Sequence, residues 1–436
     1  MRGYGLSAAL LSSFLALTVL LYLLQLIDYD KYKANLWFRN DSFTRSDYPS
    51  PYWDPGLDCS RIVNDDQNYI KSIKKPIPIK SNLSMKCEDI KSRFRLKDGE
   101  DSSFAIAYAK IVYKDYDFLE SQIWNTYTVG NWYCFAVDAK AKDDFKRRMK
   151  ALAECLPNVV LTKVARRFES SGHNNNFGHQ DCMRELMSHY WNYVFLLQNH
   201  DIVIRTHNEL ARILTIANGS NLVTIGTCSS QRCKPQFERN LGNLGLCAKS
   251  LNEEEAKQCR SANITWKKNV IEAVLSRQTV KFIINEINTT ALINQFERYG
   301  FSDETYLQSI LATEEMKVPG RFTANCATDG IARISIWYDK KRCKSGNMRH
   351  ALCIYGMADL PWLLQQKHLM ANKMMPAFDY GAIHCMSEAL LNRTKHPKKE
   401  DIDEDFYSTL NMVRFHRDSK KHKFDPNNFK CSPKRA

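Results

Sequence analysis

The chain has 436 residues, 44% of them hydrophobic, enough to bury a sizeable core as one large domain or two ordinary ones. A net charge of +14 raises nucleic acid or an anionic surface as a partner. Lys and Arg are however spread along the chain, concentrated only in KHPKK (395–399) and KKHK (420–423), with no zinc-finger spacing and no basic heptad, which argues against nucleic acid.

Residues 1–4 read as a short cytosolic terminus. The following stretch GLSAALLSSFLALTVLLYLLQLI, 5–27, holds no charge, and as a helix at ~1.5 Å per residue it would be about 35 Å long, enough for a bilayer core. It exceeds the apolar region of a typical signal peptide, and no clear A-x-A cleavage site follows, so it reads as an uncleaved signal anchor. A cleaved secretory peptide is the alternative; both readings put the bulk of the chain in the secretory pathway. Fourteen cysteines without a C-x-x-C pair agree, reading as disulfides rather than a metal site. Six N-x-S/T sequons, at Asn40, Asn82, Asn218, Asn263, Asn288 and Asn392, suit a glycosylated lumenal surface.

Residues 28–100 are polar with scattered Pro, and read as a lumenal stem, partly packed through Cys59 and Cys87. A domain over 101–395 begins with FAIAYAKIVY (104–113), suited to a buried strand. A helical pattern at 117–127 follows, then a strand, NWYCFAVD (131–138), ending in Asp138. DDFKRRMKALAECL (143–156) is amphipathic and helical, and NVVLTKV (158–164) reads as a third strand. This alternation predicts an α/β domain with a doubly wound, mostly parallel sheet, whose ligands sit beyond the carboxyl ends of the strands; Asp138 is then a natural nucleotide contact. Residues 182–201 read as a helix running into a strand that ends in Asp201, and 353–373 as a strand leading into a helix. Between them, 222–262 is polar with four cysteines (Cys228, Cys233, Cys247, Cys259), a disulfide-pinned excursion. In FSDETYLQSILATEEMKVPG, 301–320, Ser302 reads as a helix N-cap, with Asp303 and Glu304 in the first turn. The tail, 396–436, is charged and expected to be only partly ordered.

Several blocks together resemble the Core-2/I-branching β-1,6-N-acetylglucosaminyltransferase family, which also contains peptide O-xylosyltransferases. The clearest is RHALCIYGMADLPWLLQQKHLMANK, 349–373, followed by FDYGAIHCMSEAL, 378–390. Earlier matches are IAYAKIVY (106–113), NWYCFAVD (131–138), ALAECLPNVV (151–160), QDCMREL (180–186) and NYVFLLQNHDIVIRTHNEL (192–210), in the family's order and spacing. The resemblance implies a type II Golgi membrane enzyme with a GT-A-like fold. Such an enzyme transfers a sugar from a UDP-sugar donor with inversion, and needs no metal ion or other cofactor. Asp-x-Asp triplets occur at 28–30, 115–117, 401–403 and 403–405, none of them ending a mid-domain strand, where a metal–nucleotide site would need one.

The resemblance further implies a basic pair for the departing diphosphate. Lys373 matches one member; Arg349 and His350 are the candidates for the other, and Arg is the better chemical choice because its guanidinium stays charged and forks onto phosphate. The implied base is Glu304, in an Asp-Glu pair shortly before Pro319-Gly320. Asp138 would contact the ribose or uracil, with Ile111 beside the uracil, and Trp337 and Tyr338 would hold the acceptor sugar. Asp201 and Arg205 match family positions and read equally as a structural ion pair, while His173 and His179 lie in a polar turn without a ligand set. The implied disulfides are Cys59–Cys385, Cys87–Cys155, Cys134–Cys182 and Cys343–Cys353; Cys228, Cys233, Cys247, Cys259, Cys326 and Cys431 have no implied partner. The family's acceptor-binding residues find no counterpart in 222–262, and the region around 168–182 is shorter and lacks its usual Trp and Arg.

The expected function is transfer of GlcNAc from UDP-GlcNAc to the C6 hydroxyl of an acceptor GalNAc or Gal on a glycoprotein O-glycan. Xylosyl transfer to protein serine from UDP-xylose, and a non-catalytic glycan-binding member, are the alternatives.

Overall fold

A computed structural model describes residues 52–432, apart from 75–76, 78, 80–82, 96–102, 299–301, 327 and 329. The expected anchor at 5–27, the Asp-x-Asp at 28–30 and the sequons Asn40 and Asn82 lie outside the described residues. Among those described, no helix is long and apolar enough to cross a membrane.

The first three predicted strands form as β1 (Ile106–Val112), β2 (Trp132–Val137) and β3 (Val159–Leu161), followed by β4 (Tyr193–Gln198) and β5 (Asp201–Val203). β1 is buried along its whole length, as expected of a parallel strand covered on both faces. Its one charged residue, Lys110, reaches back to donate to the Asp201 carbonyl (3.0 Å). The helix Asp143–Cys155 has two acids in its first turn and buries Phe145, Met149, Leu152 and Cys155, the one-face spacing its amphipathic pattern predicts. Further short strands follow: β6 (Leu222–Val223), β7 (Gly226–Thr227), β8 (Lys267–Lys268) and β9 (Ala273–Ser276). The last are β10 (Arg333–Ile334), β11 (Met348–Arg349), β12 (Leu352–Cys353) and β13 (Met370–Asn372).

The main sheet has the order β3-β2-β1-β4-β9-β6. β1 to β4 run parallel, while β9 is antiparallel to both its neighbours. A second sheet, β10-β13-β5, sets β13 beside β5 so that Asn372 faces Asp201. This small sheet brings the chain leaving β13, and with it Lys373, to the carboxyl ends of the main strands.

All four implied disulfides form, and the remaining six cysteines pair as Cys228–Cys233, Cys247–Cys259 and Cys326–Cys431. Cys59–Cys385 closes a loop of 326 residues, which the chain-entropy account values at about 6 kcal/mol. The stem is packed over its described part: the helices Cys59–Val63, Gln67–Ser72 and Cys87–Arg95 bury Ile62, Ile70, Ile90 and Phe94.

The tail departs further from expectation. Its helices Glu404–Ser408 and Asn411–Asp418 bury Phe406, Leu410 and Val413, and Cys326–Cys431 fastens its end. Phe406 and Val413 lie on separate short helices with Leu410 in the turn between them, and the surrounding charges conceal these few apolar residues in a composition average.

Candidate active site

The crevice beyond the carboxyl ends of β1, β2 and β4 gathers most of the singled-out residues. Asp138 follows β2 directly and is buried, with the Lys140 N–H donating to its Oδ1 (2.8 Å). Ile111 is buried in β1, close to Gly178 on the helix Asn175–Leu186, which Cys134–Cys182 ties to β2. Asp201 accepts from the Gln198 N–H (2.6 Å) and from the Asn372 amide. It does not pair with Arg205, whose guanidinium instead donates to the carbonyls of His368 and Gln366. The possible Asp201–Arg205 ion pair is thus corrected: each residue fastens a different loop.

Lys373 follows β13, and burial lowers its ammonium's proton affinity, with the nearby Arg349 charge adding to the effect. Arg349 is the last residue of β11, held against β12 by a two-residue turn in which His350 (φ 51°) and Ala351 (φ 63°) are both left-handed. Cys343–Cys353 pins this hairpin. Arg349 therefore lies on the strand within electrostatic reach of Lys373, while His350 projects at the exposed turn tip. Trp337 pairs with Leu352 across the same hairpin, and Tyr338 donates its N–H to the Ala351 carbonyl (2.8 Å). These two rings are 45% and 82% exposed, which excludes a core role for them.

On the opposite side, Ser302–Glu304 is a 3-10 turn and the α-helix starts only at Tyr306. The expectation of Ser302 as helix N-cap is corrected: its hydroxyl donates to the Gly172 carbonyl (3.0 Å) and to Glu297 (3.0 Å). Asp303 turns inward, accepts from the Asn175 amide (2.7 Å), and is pushed up to about 6 chiefly by burial. Gly172 (φ +93°) is required here, since a Cβ would meet Asp303 Oδ1 at 2.3 Å. Glu304 faces outward, half-buried, in an ion pair with Lys268. Pro319 and Gly320 follow at a tight crossing, where a Cβ on Gly320 would meet the Gly219 carbonyl at 2.4 Å.

Two further charged residues belong to the site. Lys268 escapes sequence reading because β8 is two residues long and has no periodicity. Glu272, an acid inside the apolar run VIEAVLS (270–276), is fully buried against Arg333 (2.6 Å), and burial pushes it up to about 8.

Among the described residues, neither His173 nor His179 falls in a group of three possible metal ligands. His173 pairs with Glu297 (2.5 Å). His179 lies on the buried helix Asn175–Leu186 rather than in a polar turn, hydrogen-bonds with the Leu197 carbonyl (3.1 Å), and is pushed down to about 4 by burial. Among the described residues, Cys59 with His384 and Glu388, and Cys343 with Cys353 and Asp359, come close enough to hold a cation, but all three cysteines are in disulfides and offer no thiolate. Asp115 is bound to His200 (2.7 Å) and Asp117 to Arg148 (2.5 Å), so the 115–117 triplet is already engaged. Of the described sequons, Asn218, Asn263 and Asn288 are exposed and Asn392 is half-buried.

The domain is mixed α/β with a largely parallel sheet, the kind of sheet that binds ligands beyond the carboxyl ends of its strands. Comparison with known proteins makes the class specific: the Core-2/I-Branching enzyme family model matches residues 106–364, more than half of the chain, and the chain belongs to this family. It is 27% identical over 371 residues to the human (Homo sapiens) beta-1,3-galactosyl-O-glycosyl-glycoprotein beta-1,6-N-acetylglucosaminyltransferase 3, covering 77% of this chain and 82% of the relative. The mouse (Mus musculus) protein of that name is 24% identical, covering 77% and 83%. The mouse beta-1,3-galactosyl-O-glycosyl-glycoprotein beta-1,6-N-acetylglucosaminyltransferase 4 is 27% identical, covering 68% of each chain. A solved structure, the mannosyltransferase Ktr4p from S. cerevisiae in complex with GDP, covers 81% of this chain and 95% of its own at 12% identity, but its TM-score of 0.29 carries no argument.

Proposed function

We propose that the chain is an inverting, metal-independent glycosyltransferase that moves GlcNAc from UDP-GlcNAc to the C6 hydroxyl of a GalNAc or Gal on a glycoprotein O-glycan. The observation that carries this reading is the clustering of two cations at neighbouring strand ends: Lys373 follows β13, and the guanidinium of Arg349, the last residue of β11, reaches Met375 Sδ (3.8 Å) two residues further along the same chain. Family membership supports it, as do relatives whose names specify β-1,6-GlcNAc transfer.

In this mechanism Glu304 takes the proton of the acceptor hydroxyl, whose oxygen bonds to the sugar's anomeric carbon from the side opposite the diphosphate. The bond from that carbon to UDP breaks, UDP keeps the electron pair, and the charge developing on its β-phosphate meets Lys373 and Arg349. The engaged state of Asp115 and Asp117 favours these cations over a metal ion as the counter-charge. Asp138 and Ile111 receive the nucleoside, and Trp337 and Tyr338 offer open ring faces to the acceptor sugar. Residues 5–27 anchor the chain in the Golgi membrane as a type II protein, and seven disulfides suit an oxidising lumen.

The test is a donor screen on the full chain in detergent with chelator present, offering UDP-GlcNAc or UDP-xylose with an O-glycopeptide or a serine peptide. Transfer of GlcNAc to the glycopeptide is expected. Transfer of xylose alone would replace the reading by peptide O-xylosylation, and glycan binding without any transfer would replace it by a binding protein.

A further inference from the structure

The order of the main sheet contains a topological switch. The chain runs β1 to β2 to β3 in one direction, then crosses back to place β4 on the other side of β1, all four strands parallel. In such sheets the crossing opens a crevice between the carboxyl ends of the two strands from which the chain departs in opposite directions, here β1 and β4. Tyr113 is the first residue beyond β1, and Asn199 the first beyond β4.

One buried amide locks these two ends together. Asn199 Oδ1 accepts from the N–H of Tyr113 (2.7 Å) and of Lys114 (3.3 Å), while its Nδ2 donates to the Lys114 carbonyl (3.2 Å). The Tyr113 ring rests edge-on against His200 (6.0 Å between centroids), and His200 is itself held by Asp115 (2.7 Å). Yet the side chain stays 40% exposed, between the buried Val112 and Tyr116. It is one of six large hydrophobic side chains exposed among the described residues, and two of the others, Trp337 and Tyr338, bridge to Leu352 and Ala351 of the hairpin that carries Arg349. A rigid backbone holding an open ring is how a binding side chain is presented; an incidental surface tyrosine needs neither.

We propose that Tyr113 is a third donor-binding side chain, its phenol O–H donating to the diphosphate beside Arg349 and Lys373; this rests on the UDP-sugar reading above. His200, against which the Tyr113 ring rests, accepts at its carbonyl from the Met374 N–H (3.2 Å), and Arg349 reaches Met375 Sδ (3.8 Å), so the phenol is held beside the segment that follows Lys373 and meets Arg349. Burial raises its proton affinity, so it stays a neutral donor at physiological pH. Neutrality matters here. Arg349 already disfavours the charge on Lys373, and a third cation would add to that repulsion, whereas a hydroxyl adds a hydrogen bond without it.

The experiment measures binding of UDP and of uridine, which has no phosphate, to the full chain and to its Tyr113→Phe variant by isothermal calorimetry. The variant removes one solvent-accessible hydroxyl and leaves the ring, so its unfolding temperature should match that of the unsubstituted protein. UDP affinity is expected to fall about tenfold or more, the usual consequence of losing a hydrogen bond to a charged group, with uridine affinity unchanged. Equal UDP binding by the two proteins, or equal weakening of UDP and uridine, would overturn the assignment while leaving the donor reading intact. A parent protein that binds no UDP would overturn the donor reading itself and this assignment with it.

Discussion

Lys373, Arg349 and Asp138 sit at the ends of strands: β13 delivers the first, a disulfide-pinned hairpin the second, and the buried β2 the third. Glu304 and its partner Lys268 are carried instead by a 3-10 turn and a two-residue strand paired with the equally short β7, from which a small disulfide loop departs at Cys228. One half of the site inherits its geometry from the sheet. The other is assembled from loops by tertiary contacts: Asn175 on Asp303, Ser302 on Gly172, the Asn269 N–H on the Glu304 carbonyl (2.8 Å). In the proposed reading the sheet-borne half holds the nucleotide and the loop-borne half supplies the base, so the loops can vary while nucleotide binding is kept.

Substitutions can break this comparison from either side. The largest effect is expected at Glu304: Glu304→Gln should lower kcat by about 10²–10⁴-fold, the span of general-base catalysis, and leave UDP affinity unchanged, as read by transfer kinetics and calorimetry. Retained activity would move the base elsewhere. Next, Asp303 couples the acidic side to stability. Its folded value of about 6 exceeds the ordinary 3.8, so the folded state binds the proton more tightly and stability falls as pH rises across that window, by about 3 kcal/mol in all. Asp303→Asn should therefore gain melting temperature relative to the unsubstituted protein between pH 4 and pH 6, with the difference constant above; parallel melting curves would contradict the burial argument.

On the donor side, Lys373→Met should weaken UDP about ten- to hundredfold, the worth of a charge-assisted contact, with little effect on acceptor affinity. The smallest effects separate two neighbours. Arg349→Ala should cost about tenfold in UDP affinity and His350→Ala almost none, since Arg349 reaches Met375 beside Lys373 whereas His350 lies in the turn; the reverse order in calorimetry would shift the register by one residue.

What the sequence made legible follows the same division. The buried strands and the amphipathic helix Asp143–Cys155 are contiguous patterns, and they appear where periodicity places them; 353–373, read as a strand leading into a helix, instead holds only the short helix Leu360–Leu363 before the strand β13 that delivers Lys373. Disulfide pairs became assignable only through the family resemblance, because pairing depends on distances in space rather than along the chain. Ser302 had the side chain of an N-cap, but competing partners on Gly172 and Glu297 drew it away, and the helix began four residues later. Lys268 and Glu272 stayed hidden for a related reason: a two-residue strand has no period, and a lone acid in an apolar run gives no sign of the Arg333 that meets it from a distant strand. The tail misled because charge dominated its average while a few apolar residues on two short helices and the turn between them did the packing.

The central claim concerns bond formation at one carbon and one hydroxyl, so the product's linkage tests it most directly. Full-length protein incubated with UDP-GlcNAc, a Gal- and GalNAc-bearing O-glycopeptide and chelator should give a product whose NMR spectrum shows β-linked GlcNAc on the C6 oxygen. An α-linked product, attachment at another hydroxyl, or formation only after a divalent metal is restored would contradict the account.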